Sequence, residues 1–170
     1  VAAVLDGRGD GGINIMRSKL LVILISAAAT GLVAAAPHPN FSGTWALDSA
    51  KSRNIGMMAQ ANMRATVVQS DTSLDVTTHT SMQGRDDDSR THYDLNGRAV
   101  TNQAPMGGPS QTVSKWDGDR LVTTWTSENA LAGGPKIIRT ETRSLSADGR
   151  TMTVELARGG SSMVMVFERK

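Results

Sequence analysis

From Phe41 onward the chain falls into short runs rich in Thr, Val, Ser and Trp, with turn residues recurring about every eight to twelve positions. Alternation with period two sends successive side chains to opposite faces of a pleated ribbon, and turns so closely spaced leave no room for long helices. The pattern predicts an all-β domain. Candidate strands are 43–47, 63–69, 74–80, 90–95, 98–102, 111–116, 120–127, 136–145, 151–157 and 162–169, so ten is the upper count. Three dipeptides supply the positive φ of tight turns, Asn96-Gly97, Asp117-Gly118 and Asp148-Gly149, and each is expected to join sequence neighbours. A sheet of consecutive hairpins has two raw edges, and closing it on itself removes them. The expectation is one antiparallel up-and-down meander barrel of about eight to ten strands.

Pairing 74–80 with 90–95 across a long loop sets Val76 against Leu95 and Thr78 against Tyr93 on one face. The other face carries Asp75, Thr77, His79, His92 and Asp94, so an apolar side and a polar side separate as a half-buried pair requires. His79 and His92 stand opposite one another in this register, and two imidazoles with a carboxylate suit zinc. That face is the solvated one, so no metal site is assigned. Asp86, Asp87 and Asp88 fall in the loop and lack the alternate-residue spacing and closing Glu of a calcium loop. The Asp148-Gly149 turn sets Leu145 opposite Met152. Segment 52–62 reads as a short helix or flap with Met57 and Met58 exposed or capping the barrel, while 103–109 and 127–135 read as flexible loops and His38 sits in a loose leader.

At the other end, Met16 is followed by Arg17 and Lys19, the apolar run 20–32 and the small residues 33–36. That is the order of a signal peptide, and Val33 and Ala35 fit the small-x-small rule for cleavage before Ala36. The run is shorter than the ~20 residues that span a bilayer, so no stable membrane span is expected after cleavage. The expected organisation is an over-extended start or disordered leader at 1–15, a signal peptide at 16–35 and the barrel domain at 36–170, with a periplasmic or secreted location. With no Cys, stability rests on packing rather than disulfides. The chain carries 18 Lys and Arg against 16 Asp and Glu. Such near-neutrality argues against nucleic acid as a partner, since binding it takes a concentrated basic face.

The stretch Asn40-Phe41-Ser42-Gly43-Thr44-Trp45 resembles the N-F-x-G-x-W opening of lipocalins and the F-x-G-x-W opening of intracellular fatty-acid-binding proteins, both of the calycin group. Together with the run from Trp116 to Leu121, the Leu-Ser-Ala-Asp-Gly at 145–149 and the Val-Phe-Glu-Arg-Lys at 166–170, it makes 40–170 similar to secreted bacterial lipocalin-like proteins. The resemblance implies a calycin-type barrel that carries a small hydrophobic or amphipathic, fatty-acid-like ligand. It also implies structural roles for Trp45, Gly43 and Arg169, with the Arg lying over the indole at the closed end. The chain departs from lipocalins in lacking cysteine and in placing Ala46 where an aromatic follows the Trp.

Fatty-acid carriers hold the ligand carboxylate with inward Arg residues near the C-terminal strands. Alternation puts Arg139, Glu141, Arg143 and Leu145 on one side of their strand. If that side is the lumen, Arg139 and Arg143 clamp an anionic head group, with Tyr93 and Val76 as further ligand contacts. The other reading is an outer face laced with Arg/Glu pairs, which the cost of burying an unpaired guanidinium favours.

There is no G-x-S-x-G elbow, no Cys and no phosphate or dinucleotide fingerprint, so neither a catalytic residue nor a cofactor is assigned. The leading expectation is a non-catalytic carrier, which needs a lumen of at least ~300 Å³. The rivals are a cell-envelope structural or protein-interaction barrel with a solid interior, and an enzyme on a calycin frame with a polar cluster inside. Met152, Val154, Leu156, Met163, Met165 and Phe167 suit an adaptable lumen and a solid core equally.

Overall fold

The period-two alternation becomes strand along most of the chain. The structure is a computed structural model that describes residues 37–104, 108–129 and 134–170. The expected leader and signal peptide lie outside the described residues, as do parts of the loops 103–109 and 127–135. All ten expected strands are present: β1 (Gly43–Leu47), β2 (Asn62–Gln69), β3 (Ser73–Met82), β4 (Arg85–Asp94), β5 (Val100–Gln103), β6 (Pro109–Asp117), β7 (Arg120–Ser127), β8 (Ile137–Leu145), β9 (Thr151–Arg158) and β10 (Ser161–Arg169). Segment 52–62 contains a short 3-10 helix, Gly56–Gln60, that leaves Met57 exposed and Met58 packed against the core. Among the described residues no helix is long and apolar enough to cross a membrane.

Every ladder is antiparallel, and the sheet order is β4-β3-β2-β1-β10-β9-β8-β7-β6-β5. The opening and final strands therefore meet, with Trp45 opposite Arg169 and Leu47 opposite Phe167. One junction departs from an uninterrupted meander: β4 and β5 share no ladder and form the two ends of the sheet. The result is a ten-stranded, nearly closed barrel, consistent with a calycin-type fold.

Asn96-Gly97 is thus not the tight hairpin expected between paired strands. The Asp94 carboxylate accepts hydrogen bonds from the backbone N of Asn96 at 2.8 Å and Arg98 at 3.1 Å, while Leu95 N donates to Thr72 O at 2.9 Å. These bonds form an Asx-type turn that delays the next strand until Val100. A side chain bridges the gap instead. Asn102 Oδ1 accepts from His92 N at 3.0 Å and Asn102 Nδ2 donates to His92 O at 2.8 Å, the two bonds a backbone neighbour would supply.

The register of β3 and β4 also differs from expectation. They meet through a two-residue turn in which Gln83 has φ 51° and Gly84 φ 75°, the paired positive values of a type I′ hairpin. Leu74 pairs with Tyr93 and Val76 with Thr91, in place of Val76 with Leu95 and Thr78 with Tyr93. The slip is an even number of residues, so both faces keep their occupants while every partner changes. His79 and His92 are consequently not opposite one another. His79 Nδ1 lies 2.8 Å from Asp88 Oδ1 and His92 Nδ1 lies 2.7 Å from Asp75 Oδ1, two separate cross-strand pairs on the outer face. Asp86, Asp87 and Asp88 lie within β4, exposed, rather than in a loop.

Inward side chains divide the interior into two unlike halves. Strands β1, β2, β3, β9 and β10 contribute Trp45, Met63, Ala65, Val67, Leu74, Val76, Met152, Val154, Met165 and Phe167, all buried. Strands β5 to β8 contribute mostly polar groups, including Asn102, Ser110, Thr112, Ser114, Thr123, Glu141 and Arg143, also buried.

One end is sealed by aromatic packing. Trp45 is fully buried and its Nε1 donates to Phe41 O at 2.9 Å. Arg169 lies over the Trp45 ring with Cζ 4.2 Å from the centroid, donating through Nη1 to Ser42 O at 2.6 Å and through Nε to Gly149 O at 2.8 Å. A cation over an indole contributes about 0.5–2 kcal/mol. Gly43 allows the approach: its φ is 139°, and a Cβ there would sit 2.5 Å from Arg169 Nη1. His38 is not loose. It stacks on Trp116 at 4.2 Å and 3° between planes, while Gln69 accepts from Phe41 N and donates to Pro39 O.

Candidate functional site

Strand β8 supplies the charged groups. Its inward positions are Arg139, Glu141, Arg143 and Leu145, and the ladders set Glu141 between Thr123 and Leu156 and Arg143 between Leu121 and Val154. Arg143 is 5 % exposed and Glu141 6 %, so the outer-face reading fails for both. The objection to burying a guanidinium is met because Glu141 is its partner: Arg143 Nη2 lies 2.8 Å from Glu141 Oε1.

Tyr93, the only tyrosine, reaches across from β4. Its hydroxyl donates to the Glu141 carboxylate, 3.1 Å from Oε1 and 3.2 Å from Oε2, and accepts from Arg143 Nη2 at 3.5 Å. Arg143 also lies over the Tyr93 ring at 5.5 Å, and Trp125 meets that ring edge-on at 6.2 Å and 82°. Burial, and next the negative charge of Glu141, hold the Tyr93 phenol far above its ordinary range. Burial pulls the Arg143 pKa down, but the charge of Glu141 and the contact with Tyr93 outweigh it, and the group stays protonated. Two buried donors, Arg143 Nε and Trp125 Nε1, have no hydrogen-bond partner among the described residues.

A row of hydroxyls continues this polar wall. Ser114 Oγ lies 2.8 Å from Thr123 Oγ1, Ser110 pairs with Ser127, and Thr112 Oγ1 accepts from Asn102 Nδ2 at 2.8 Å while donating to Val100 O at 3.1 Å. Neither Glu141 nor this row stood out as a site in the sequence. The available signal was the strict alternation Ser110-x-Thr112-x-Ser114 on one face of β6, and Ser and Thr do not announce burial.

Arg139 belongs to a different environment from Arg143. It is half-buried near the end of β8, where Nη2 donates to Ser127 Oγ at 3.5 Å. Thr140 pairs with Ala157, so the next step along the ladder brings Arg139 level with Arg158. Burial and then the like charge of Arg158 hold the Arg139 pKa below its ordinary value. One step inward, Leu156 pairs with Met163, both only partly buried. The structure thus brings Tyr93 together with Arg143, and places Arg139 with Arg158 at the end opposite the sealed one. Val76 pairs with Val67 in the apolar half, away from the charged groups of β8.

The interior beside the sealed end is filled, with Phe41, Trp45, Leu74, Leu121, Met152, Thr112 and Thr123 essentially without exposure. Two concavities lie elsewhere. One of about 340 Å³ is on the outer side of the β9–β10 turn, against Ile138, Thr140, Ala157 and Arg158. The other, about 210 Å³, lies at the sealed end against Pro37, His38, Gln69, Asp71, Leu95 and Trp116. Among the described residues no group of three or more metal-ligating side chains is placed to hold an ion. No family model matches the chain, and no curated protein sequence matches it.

Proposed function

We propose that the domain is a lipocalin-like carrier, exported to the periplasm or beyond, that takes a small amphipathic anion at the end of its barrel opposite the sealed one, rather than in the lumen expected from the sequence. The observation that carries this reading is the pair Arg139 and Arg158, level with each other on adjacent strands directly above the partly buried Leu156 and Met163. Two guanidinium groups brought level on adjacent strands present positive charge that attracts an anion. A guanidinium pair suits a carboxylate, and the thioether and leucine beneath suit an alkyl chain. Arg143 serves the ligand differently from the clamp expected of it. It is committed to Glu141, so it closes the floor of the site as a neutral pair.

Titration with decanoate, followed by native mass spectrometry, tests the reading. Arg139→Gln and Arg158→Gln are each expected to weaken binding about tenfold, the worth of one charge-assisted hydrogen bond, and to leave the neutral decanol unaffected. Equal affinity in wild type and both variants would remove the anion site.

The filled interior beside Trp45 favours a second reading, an envelope protein whose solid barrel presents loops to a protein partner. Absence of any copurifying small molecule, with recovery of one protein from a periplasmic extract, selects that alternative.

A further inference from the structure

We infer that the β4–β5 seam is a gate into the barrel interior, hinged at Asp94 and latched by Asn102. Every other junction in the wall is a backbone ladder, from three residue pairs between β1 and β10, extended there by the Arg53–Val164 bridge and the Asp48 and Lys170 amides, to ten between β3 and β4. Across the seam no backbone hydrogen bond is present among the described residues. The junction is held by the two bonds between the Asn102 amide and the His92 backbone, and from inside by the Tyr93 hydroxyl on Glu141. Local opening follows the path on which the fewest paired groups separate, and here that path breaks three or four bonds rather than a ladder.

What lies behind the seam lowers the cost of opening further. Thr112 holds the Asn102 amide, and Ser110 and Ser114 flank it on the next strand. Parting β4 from β5 therefore wets mainly hydroxyls and an ion pair, which water can solvate, with the Tyr93 and Trp125 rings as the apolar surface beside them. At the other limit of the motion the Asp94 turn and the Leu95 to Thr72 bond keep the strands tethered, so the seam widens away from the sealed end.

Amide hydrogen exchange on the full chain tests the gate without any ligand. In Asn102→Ala the His92 amide is expected to exchange at least about tenfold faster, while amides of β9 and β10 keep wild-type protection. In a Trp116→Phe background, which leaves only the interior Trp45 and Trp125, acrylamide quenching is expected to rise with the same substitution. Val67→Ala, which loosens the apolar half, is expected to speed exchange in all strands together. Unchanged His92 exchange in Asn102→Ala, or acceleration shared equally with β9 and β10, overturns the inference. Should that variant fail to fold, Asn102→Asp keeps the acceptor for His92 N–H and loses the donor. Its His92 amide is then expected to exchange faster than wild type, and wild-type exchange there overturns the gate.

Discussion

At the scale of single residues, the buried Arg143 and Glu141 make the sharpest demands. Removing one charge strands the other in a buried site, so Glu141→Gln is expected to cost about 3–5 kcal/mol in a urea titration. Replacing both, as Glu141→Leu with Arg143→Met, removes the desolvation along with the attraction and is expected to fall within about 2 kcal/mol of wild type. Singles costing under about 1 kcal/mol would show that the two charges are not confined together. Trp125 gives the complementary case. Its Nε1 has no partner among the described residues, so Trp125→Phe sacrifices none of their hydrogen bonds and is expected to cost less than about 1.5 kcal/mol, against about 3–5 for Trp125→Ala. Sequence alternation was enough to put Arg139, Glu141 and Arg143 on one face. It was silent on which face, because that depends on Tyr93, almost fifty positions away, arriving from another strand.

Among the elements, strands and most turns were legible because period two and Gly-containing turns act locally. The long pairing of β3 with β4 was not. Gln83-Gly84 carries a weak hairpin signal, since Gln seldom occupies positive φ, and the run of three Asp read as loop because its strand is exposed on both sides. The same weakness gives a stabilising substitution: Gln83→Asn relieves a strained first turn position and is expected to raise stability by roughly 1 kcal/mol, seen as a higher melting temperature. Gly43→Ala acts in the opposite sense, by driving a methyl into Arg169 and straining φ at once. A loss of about 1–3 kcal/mol is expected, and it should shrink when Arg169→Ala is also present. The charged edge of β4 has a use of its own, for three carboxylates in a row discourage other strands from adding to the open side of the sheet.

For the molecule as a whole, the division into an oily half and a polar half decides how it responds to solvent. Tyr93 titrates higher in the folded state than the value of about 10 typical of unfolded chains. Below that pH its contribution is complete. Above it the unfolded chain releases its proton first, so stability falls as pH rises. Tyr93→Phe is expected to flatten this alkaline slope in melts compared between about pH 9 and 11, and an unaltered slope would place the phenol in contact with water. The barrel architecture was readable from turn spacing, whereas its single missing ladder was not, since nothing in Asn96-Gly97 discloses that Asp94 has taken the hydrogen bonds a hairpin would use.

Because β1 lies beside β10, with Lys170 N bonded to Thr44 O and Arg169 touching Ser42, the chain near Ser42 and Lys170 runs side by side, while the link through Asn96 and Gly97 crosses the one place where the sheet is cut. Joining 170 to 37 by a linker, which keeps Phe41 and His38, and starting a new chain at Gly97 would yield a circular permutant in which genetic order and spatial order coincide from one margin of the sheet to the other. Such a rearranged chain should reach the same native form.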